Sequence, residues 1–127
     1  LKEKHKNPNF EKFMYSKELL KGTLKTMILK LLAENGRMYG YEMTQKIKEL
    51  SQEKILVKEG SLYPTLHRLL EDGLVQTETE NIGKRVRKYY CLTEPGTEKT
   101  RDYNTEFNDF VQTMQVILSP DPKLNMA

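Results

Sequence analysis

A mainly α fold carrying one small β-hairpin is what three stretches of this 127-residue chain predict. The first is Glu59–Gly73, where Leu62, Leu66, Leu69 and Leu70 recur at the spacing of a helix with one buried face. The second is the pair Leu74–Thr79 and Arg85–Thr93, rich in Val, Thr, Tyr and Leu and separated by Asn81-Ile-Gly-Lys84. That reads as a strand, a turn and a strand. The third is Thr93-Glu-Pro-Gly96, a helix start with Thr at the N-cap and Pro in the first turn. A groove-sized helix joined directly to a hairpin, with helices before it, is the layout of a winged helix-turn-helix.

In chain order, residues 1–15 form a polar, Lys/Asn-rich arm interrupted by Pro8. Phe10, Phe13, Met14 and Tyr15 cluster at its end and are expected to dock. Residues 16–93 make up the winged domain. From Ser16 the period is helical, with Leu20, Leu24, Met27, Ile28, Leu31 and Leu32 on one face, and Asn35-Gly36 ends that helix. Tyr39-Gly-Tyr-Glu42 opens a second helix with Tyr39, Met43, Ile47 and Leu50 inward, and residues 51–57 link it to the next element. The recognition segment, about 58–72, turns Ser61, Pro64, Thr65, His67 and Arg68 outward. Pro64 has no N–H, so the helix is expected to start near Ser61 or to bend there. Gly73 stands where a left-handed C-cap residue belongs. In the wing, 81–88, Lys84-Arg-Val-Arg-Lys88 places four positive charges in five residues at the hairpin tip.

Residues 94–118 form a last helix with Tyr103, Phe107, Phe110, Val111, Met114, Ile117 and Leu118 on one stripe. At 1.5 Å per residue it reaches about 37 Å, more than a core of under about 80 residues covers. The surplus is expected to meet the same helix of a second copy. Residues 119–127 read as a disordered tail.

Composition bounds the function. Hydrophobic residues are 37% of the chain and the net charge is +3. Mean hydropathy is −0.71, so the core is small or completed by a partner. The charge is polarised: Lys2, Lys4, Lys6, Lys12, Lys17 and Lys21 outnumber Glu3, Glu11 and Glu18, the hairpin tip is basic, and the chain from Thr97 onward is acidic. The single cysteine, Cys91, excludes an internal disulfide and fits a reducing cytoplasm. No apolar run approaches a membrane span and no signal peptide is visible. His67 is the only histidine within the predicted fold, His5 lying in the arm, and the carboxylates show no paired pattern. One Cys and two His cannot build a structural zinc site, and the glycines stand singly without a phosphate-binding run. Neither an enzyme nor a metal or cofactor is expected. The two-faced helix and basic hairpin point to double-stranded DNA.

Gly60-Ser-Leu-Tyr-Pro-Thr-Leu-His-Arg-Leu70, Asp72-Gly-Leu-Val75 and Arg87-Lys-Tyr-Tyr-Cys-Leu-Thr-Glu-Pro-Gly96 closely resemble the PadR family of bacterial and archaeal transcriptional regulators. Leu31-Leu-Ala33 followed by Tyr39-Gly-Tyr-Glu42 resembles the family's first two helices, and the single C-terminal helix resembles its short branch. The resemblance covers about Glu18 to Ile117. It implies a homodimeric winged-helix repressor whose last helices build the dimer. It also implies Gly60, Ser61, Tyr63, Thr65 and Arg68 at the recognition helix, Lys84, Arg85 and Arg87 at the wing, and Tyr41 and Lys58 on phosphates. Some multidrug-sensing members stack a flat aromatic effector between paired tryptophans. This chain has no Trp, and Phe107 falls at that position, where it reads first as dimer core. A winged helix used as a protein-interaction module, or as an aromatic-ligand sensor with weak DNA binding, is the alternative.

Overall fold

The computed structural model describes residues 15–120. Among them run α1 (Lys17–Leu20), α2 (Leu24–Asn35), β1 (Arg37–Tyr39), α3 (Gly40–Leu50), α4 (Glu59–Glu71), β2 (Val75–Ile82), β3 (Arg85–Leu92) and α5 (Glu94–Ile117). The expected docking of Phe10, Phe13 and Met14 and the expected tail from Asp121 onward lie outside the described residues. The expected mainly α architecture with a small sheet is what forms.

α2 is the hub, because its Ile28, Leu29, Leu31 and Leu32 are all buried and α3, α4, α5, β1 and β3 pack on it. Met43 and Ile47 of α3, Leu62, Leu66 and Leu69 of α4, and Val75 and Tyr90 of the sheet complete the core. Leu29 lies off the face its period suggested, and it is buried because α2 has neighbours on more than one side. The strands pair antiparallel in the order β1-β3-β2.

Several expectations are corrected. The single helix from Ser16 is two, broken at Lys21-Gly22-Thr23, where Gly22 takes φ +90°. Leu50 is 65% exposed rather than inward, since α3 ends there. β1 was not foreseen: three residues are too few to show a period. α4 starts at Glu59 and carries Pro64 inside it, so the Gly60 carbonyl lacks its ordinary helical partner. β2 runs on to Ile82, and the turn shrinks to Gly83-Lys84. Gly83 at φ +62° occupies the first central position, as a type II′ turn requires. Thr93 lies outside β3 and Leu118 caps α5 instead of continuing it.

Three caps join the elements. Glu42 accepts a hydrogen bond from the Tyr39 N–H at 3.0 Å and starts α3. Gly73 and Leu74 N–H donate to the Leu70 and Leu69 carbonyls, each at 3.0 Å, a Schellman end to α4. Thr93 Oγ1 accepts from Gly96 N–H at 3.1 Å and donates to the Gly73 carbonyl at 2.6 Å. α5 therefore begins bonded to the residue that ends α4. Gly96 lies so close to the Leu74 carbonyl that any Cβ would overlap it, whereas a Cβ on Gly60 would meet open space. Gly96→Ala should accordingly lose at least about 1–3 kcal/mol of stability by overpacking. Gly60→Ala should be neutral to about 0.5 kcal/mol more stable. Thermal denaturation of the two variants checks the contrast.

Candidate nucleic-acid interface

α4 holds the candidate reading face because Leu62, Leu66 and Leu69 are pinned in the core. That burial leaves Ser61, Tyr63, His67 and Arg68 exposed and Thr65 half-exposed. Thr65 donates its hydroxyl to the Ser61 carbonyl at 3.0 Å. His67 pairs with Glu71 at 3.4 Å, one turn on. Arg68 is exposed and enters no ion pair among the described residues. Tyr63 is 43% exposed, with its ring against Gly40, where a Cβ would collide with it. It is both a spacer between α3 and α4 and a surface group.

The first turn of α4 is open. Ser61 and Leu62 N–H both donate to the Lys58 carbonyl at 2.9 Å, and Lys58 supplies no side-chain cap. The N–H groups of Glu59 and Gly60 are left for an outside acceptor, with the exposed Lys58 ammonium beside them. Tyr41 is exposed in the first turn of α3.

Between these helix starts and the wing lies a cleft of about 460 Å³. It brings Tyr41, Tyr63, Arg85 and Arg87 together, with Tyr39, Val86 and Lys88. Lys58, Gly60, Ser61, Thr65 and Arg68 follow along α4 outside it, and Lys84 stands in the turn. Lys84, Arg85 and Lys88 are exposed. The hairpin's acidic residues, Glu78 and Glu80, are matched by Arg37 at 3.2 and 2.6 Å. Hence the cations of the tip are not cancelled by the carboxylates of the neighbouring strand. Burial pushes the Tyr90 hydroxyl pKa up, with Tyr63 adding to it.

Arg87 differs from its neighbours. It is half-buried and lies over the Tyr39 ring at 4.1 Å. Arg37 lies over the Tyr89 ring at 3.9 Å, and the two tyrosines meet edge to face at 5.6 Å. Contact with Tyr89 raises the Arg87 pKa above its ordinary value, helped by Tyr39 and Glu42. The grouping of Arg37, Tyr39 and Tyr89 around Arg87 escaped the sequence reading, which placed Tyr39 on the inward face of a helix. The signal was present as a repeated Arg-x-Tyr, Arg37-Met-Tyr39 and Arg87-Lys-Tyr89, which becomes meaningful once β1 is known to pair with β3.

On α5 the residues named for an interface are exposed or half-exposed beyond Tyr103. Phe107 is 38% and Phe110 52% exposed, their rings 6.1 Å apart, and only Gly96 and Thr100 of the helix are buried. Among the described residues no helix is long and apolar enough to cross a membrane, and no cluster of His, Cys, Asp or Glu could hold a metal ion.

Comparison with known proteins covers both the reading helix and the wing. The model of the transcriptional regulator PadR-like family matches residues 28–102. The transcriptional regulator Rv3488 of Mycobacterium tuberculosis is 38% identical over 80 residues, 63% of this chain and 71% of that protein. A transcriptional regulator of Clostridium thermocellum of known structure superposes with a TM-score of 0.74 at 25% identity, over 80% of this chain and 99% of that one. Bacillus subtilis PadR, solved in complex with operator DNA, gives a TM-score of 0.59 at 30% identity, over 66% of this chain and 47% of that one. A match running from α2 into α5 takes in every element that builds the cleft, and the chain belongs to the PadR-like family of transcriptional regulators.

Proposed function

We propose that the chain binds double-stranded DNA as a homodimer and represses transcription by occupying an inverted-repeat operator. The observation that carries this reading is the pairing of two surfaces across one cleft. On one side are the outward side chains and open N-terminus of α4, and on the other the uncompensated cations of the wing. α4 enters the major groove, and the wing lies on the backbone or in the minor groove. Lys58, Tyr41 and the free N–H groups of Glu59 and Gly60 meet phosphates, the last aided by the open space around Gly60. Ser61, Tyr63, Thr65 and Arg68 face the bases and sugars.

The dimer rests on α5. A groove of about 720 Å³ runs beside it, bordered by Leu19, Met27, Leu50, Phe107 and Phe110, and is continuous with the exposed stripe. The α5 helix of a second copy covers both, using Tyr103, Phe107, Phe110, Val111, Met114, Ile117 and Leu118. Because Phe107 lines that groove, a small flat aromatic effector held there is the second reading. A basic winged helix binding an acidic protein surface would share the charge pattern but not discriminate base pairs.

Three experiments separate these readings. Changing Lys84 and Arg85 together to Ala should weaken binding to all duplex sequences alike. The log–log salt slope should also become shallower by about 0.9 for each phosphate that is no longer neutralised. An unchanged slope would take the wing tip off the DNA. Selection from a random duplex library should return sites with two-fold symmetry, half-sites about 34–36 Å apart. Arg68→Ala should relax preference at one base pair in each half-site, at about 1–3 kcal/mol, with little loss of non-specific affinity. Recovered sites without symmetry would count against the dimeric repressor. Finally, Phe110→Glu with Met114→Glu should bury charge in the seam and give a monomer in sedimentation, and a persisting dimer would place the interface elsewhere.

A further inference from the structure

β1 and β3 each carry Arg-x-Tyr, and the antiparallel register sets Tyr39 opposite Tyr89. The two arginines then fall on the diagonals, within reach of the opposite strand's ring. Both contacts are made: Arg37 on Tyr89 at 3.9 Å and Arg87 on Tyr39 at 4.1 Å, with the rings edge to face at 88° between them. The result is a reciprocal clasp, two cations outside and two rings inside. It is tied to the third strand as well, since Arg37 also holds Glu78 and Glu80 of β2.

The clasp sits at the base of the wing. Beyond it, Asn81 to Val86 are all exposed and none belongs to the buried core. From Tyr89 to Lys84 is five residues, about 16 Å at 3.3 Å per residue. A tilt of about 10° at the base would carry the tip about 3 Å, a whole hydrogen-bond length. β1 itself is three residues long and offers little backbone pairing to resist such a tilt. Tyr39 is followed directly by Gly40, and Tyr63 of α4 rests its ring on Gly40. One chain of contacts therefore leads from the wing through Arg87, Tyr39 and Gly40 to the reading helix.

We infer that the Arg37–Tyr89 and Arg87–Tyr39 clasp fixes the angle between wing and reading helix, so that Arg87 is a positioning residue and not a phosphate contact. This rests on the DNA-binding reading above. Lys84 and Arg85, exposed at the hairpin tip, supply the charge that meets phosphate, and the clasp supplies the pose in which they meet it. A loosened wing still brings those two cations to the duplex, but it must first be ordered there, so affinity falls while the count of neutralised phosphates holds.

The experiment uses Tyr39→Leu, Tyr39→Phe and Arg87→Gln in the full chain. Hydrogen exchange of the free protein is read first, at the amides of residues 81–86. Tyr39→Leu and Arg87→Gln should speed exchange there by about two- to fivefold, the factor corresponding to one partly exposed cation–π contact. Tyr39→Phe, which keeps the ring, should match the parent, and melting temperatures check that each variant is folded. Binding to mixed-sequence duplex DNA is read next across a salt series. Both disruptive variants should bind several-fold more weakly with the parental slope. Wing amides exchanging at the parental rate in both variants would overturn the clasp. A slope shallower by about 0.9 in Arg87→Gln would overturn the positioning role and return Arg87 to the phosphates. Failure of the parent chain to bind any duplex would sink the DNA reading itself, while the exchange result would still stand or fall alone.

Discussion

The contact between Thr93-Gly96 and Gly73-Leu74 is the one on which the working geometry depends. Thr93 N–H donates to the Leu74 carbonyl at 3.1 Å, its hydroxyl donates to the Gly73 carbonyl, and it accepts from Gly96 N–H. Gly96 has no side chain because the Leu74 carbonyl occupies that space. The end of the reading helix, the base of the wing and the start of α5 thus meet within four residues. Hydrogen bonds constrain direction as well as distance, so the axis of α5 is fixed against the axis of α4. In the dimer proposed above, any play between the two helices would be doubled across the axis.

Electrostatics is arranged around the same frame. The hairpin carries four cations, Lys84, Arg85, Arg87 and Lys88, against the two carboxylates of Glu78 and Glu80, so its net charge is already positive. Arg37 adds to that excess by reaching across β3 from the opposite edge strand to hold Glu78 and Glu80. The ion pairs are partly exposed and contribute little stability by themselves. Their effect is on the sign of the surface, because they remove negative charge from the side of the wing where Lys84 and Arg85 project.

Much of this was legible in the residues. α4 announced itself through Leu62, Leu66 and Leu69, because burial of one helical face imposes a period that strands and loops do not share. The cap at Gly73 and the start at Thr93 were readable since each requires a particular residue type. The wing cations were visible as a run. What escaped was local or relational. β1 is too short to carry a period, and the break at Gly22 interrupts a stripe whose apolar spacing continues straight through it. Leu50 keeps the spacing of Met43 and Ile47, yet it stands exposed at the border of the groove beside α5. Arg37 and Tyr89 acquire a role through pairing between residues some fifty positions apart, and no single stretch displays it. Pro64 suggested a start near Ser61 or a bend there; the helix begins two residues earlier, at Glu59, and carries the proline between the buried Leu62 and Leu66.

The outer turns of α5 have one more consequence. Past Tyr103 the helix keeps its apolar side chains at the surface, with little of the molecule's own core against them. A segment of about 14 residues is marginal as an isolated helix in water, because nucleation and backbone ordering nearly cancel its internal bonds. Its order is therefore borrowed from whatever covers it. When that cover is another copy of the chain, the shape of the last helix reports how many copies are nearby. In the dimer proposed above, the outer turns of α5 would act as a gauge of the chain's own abundance.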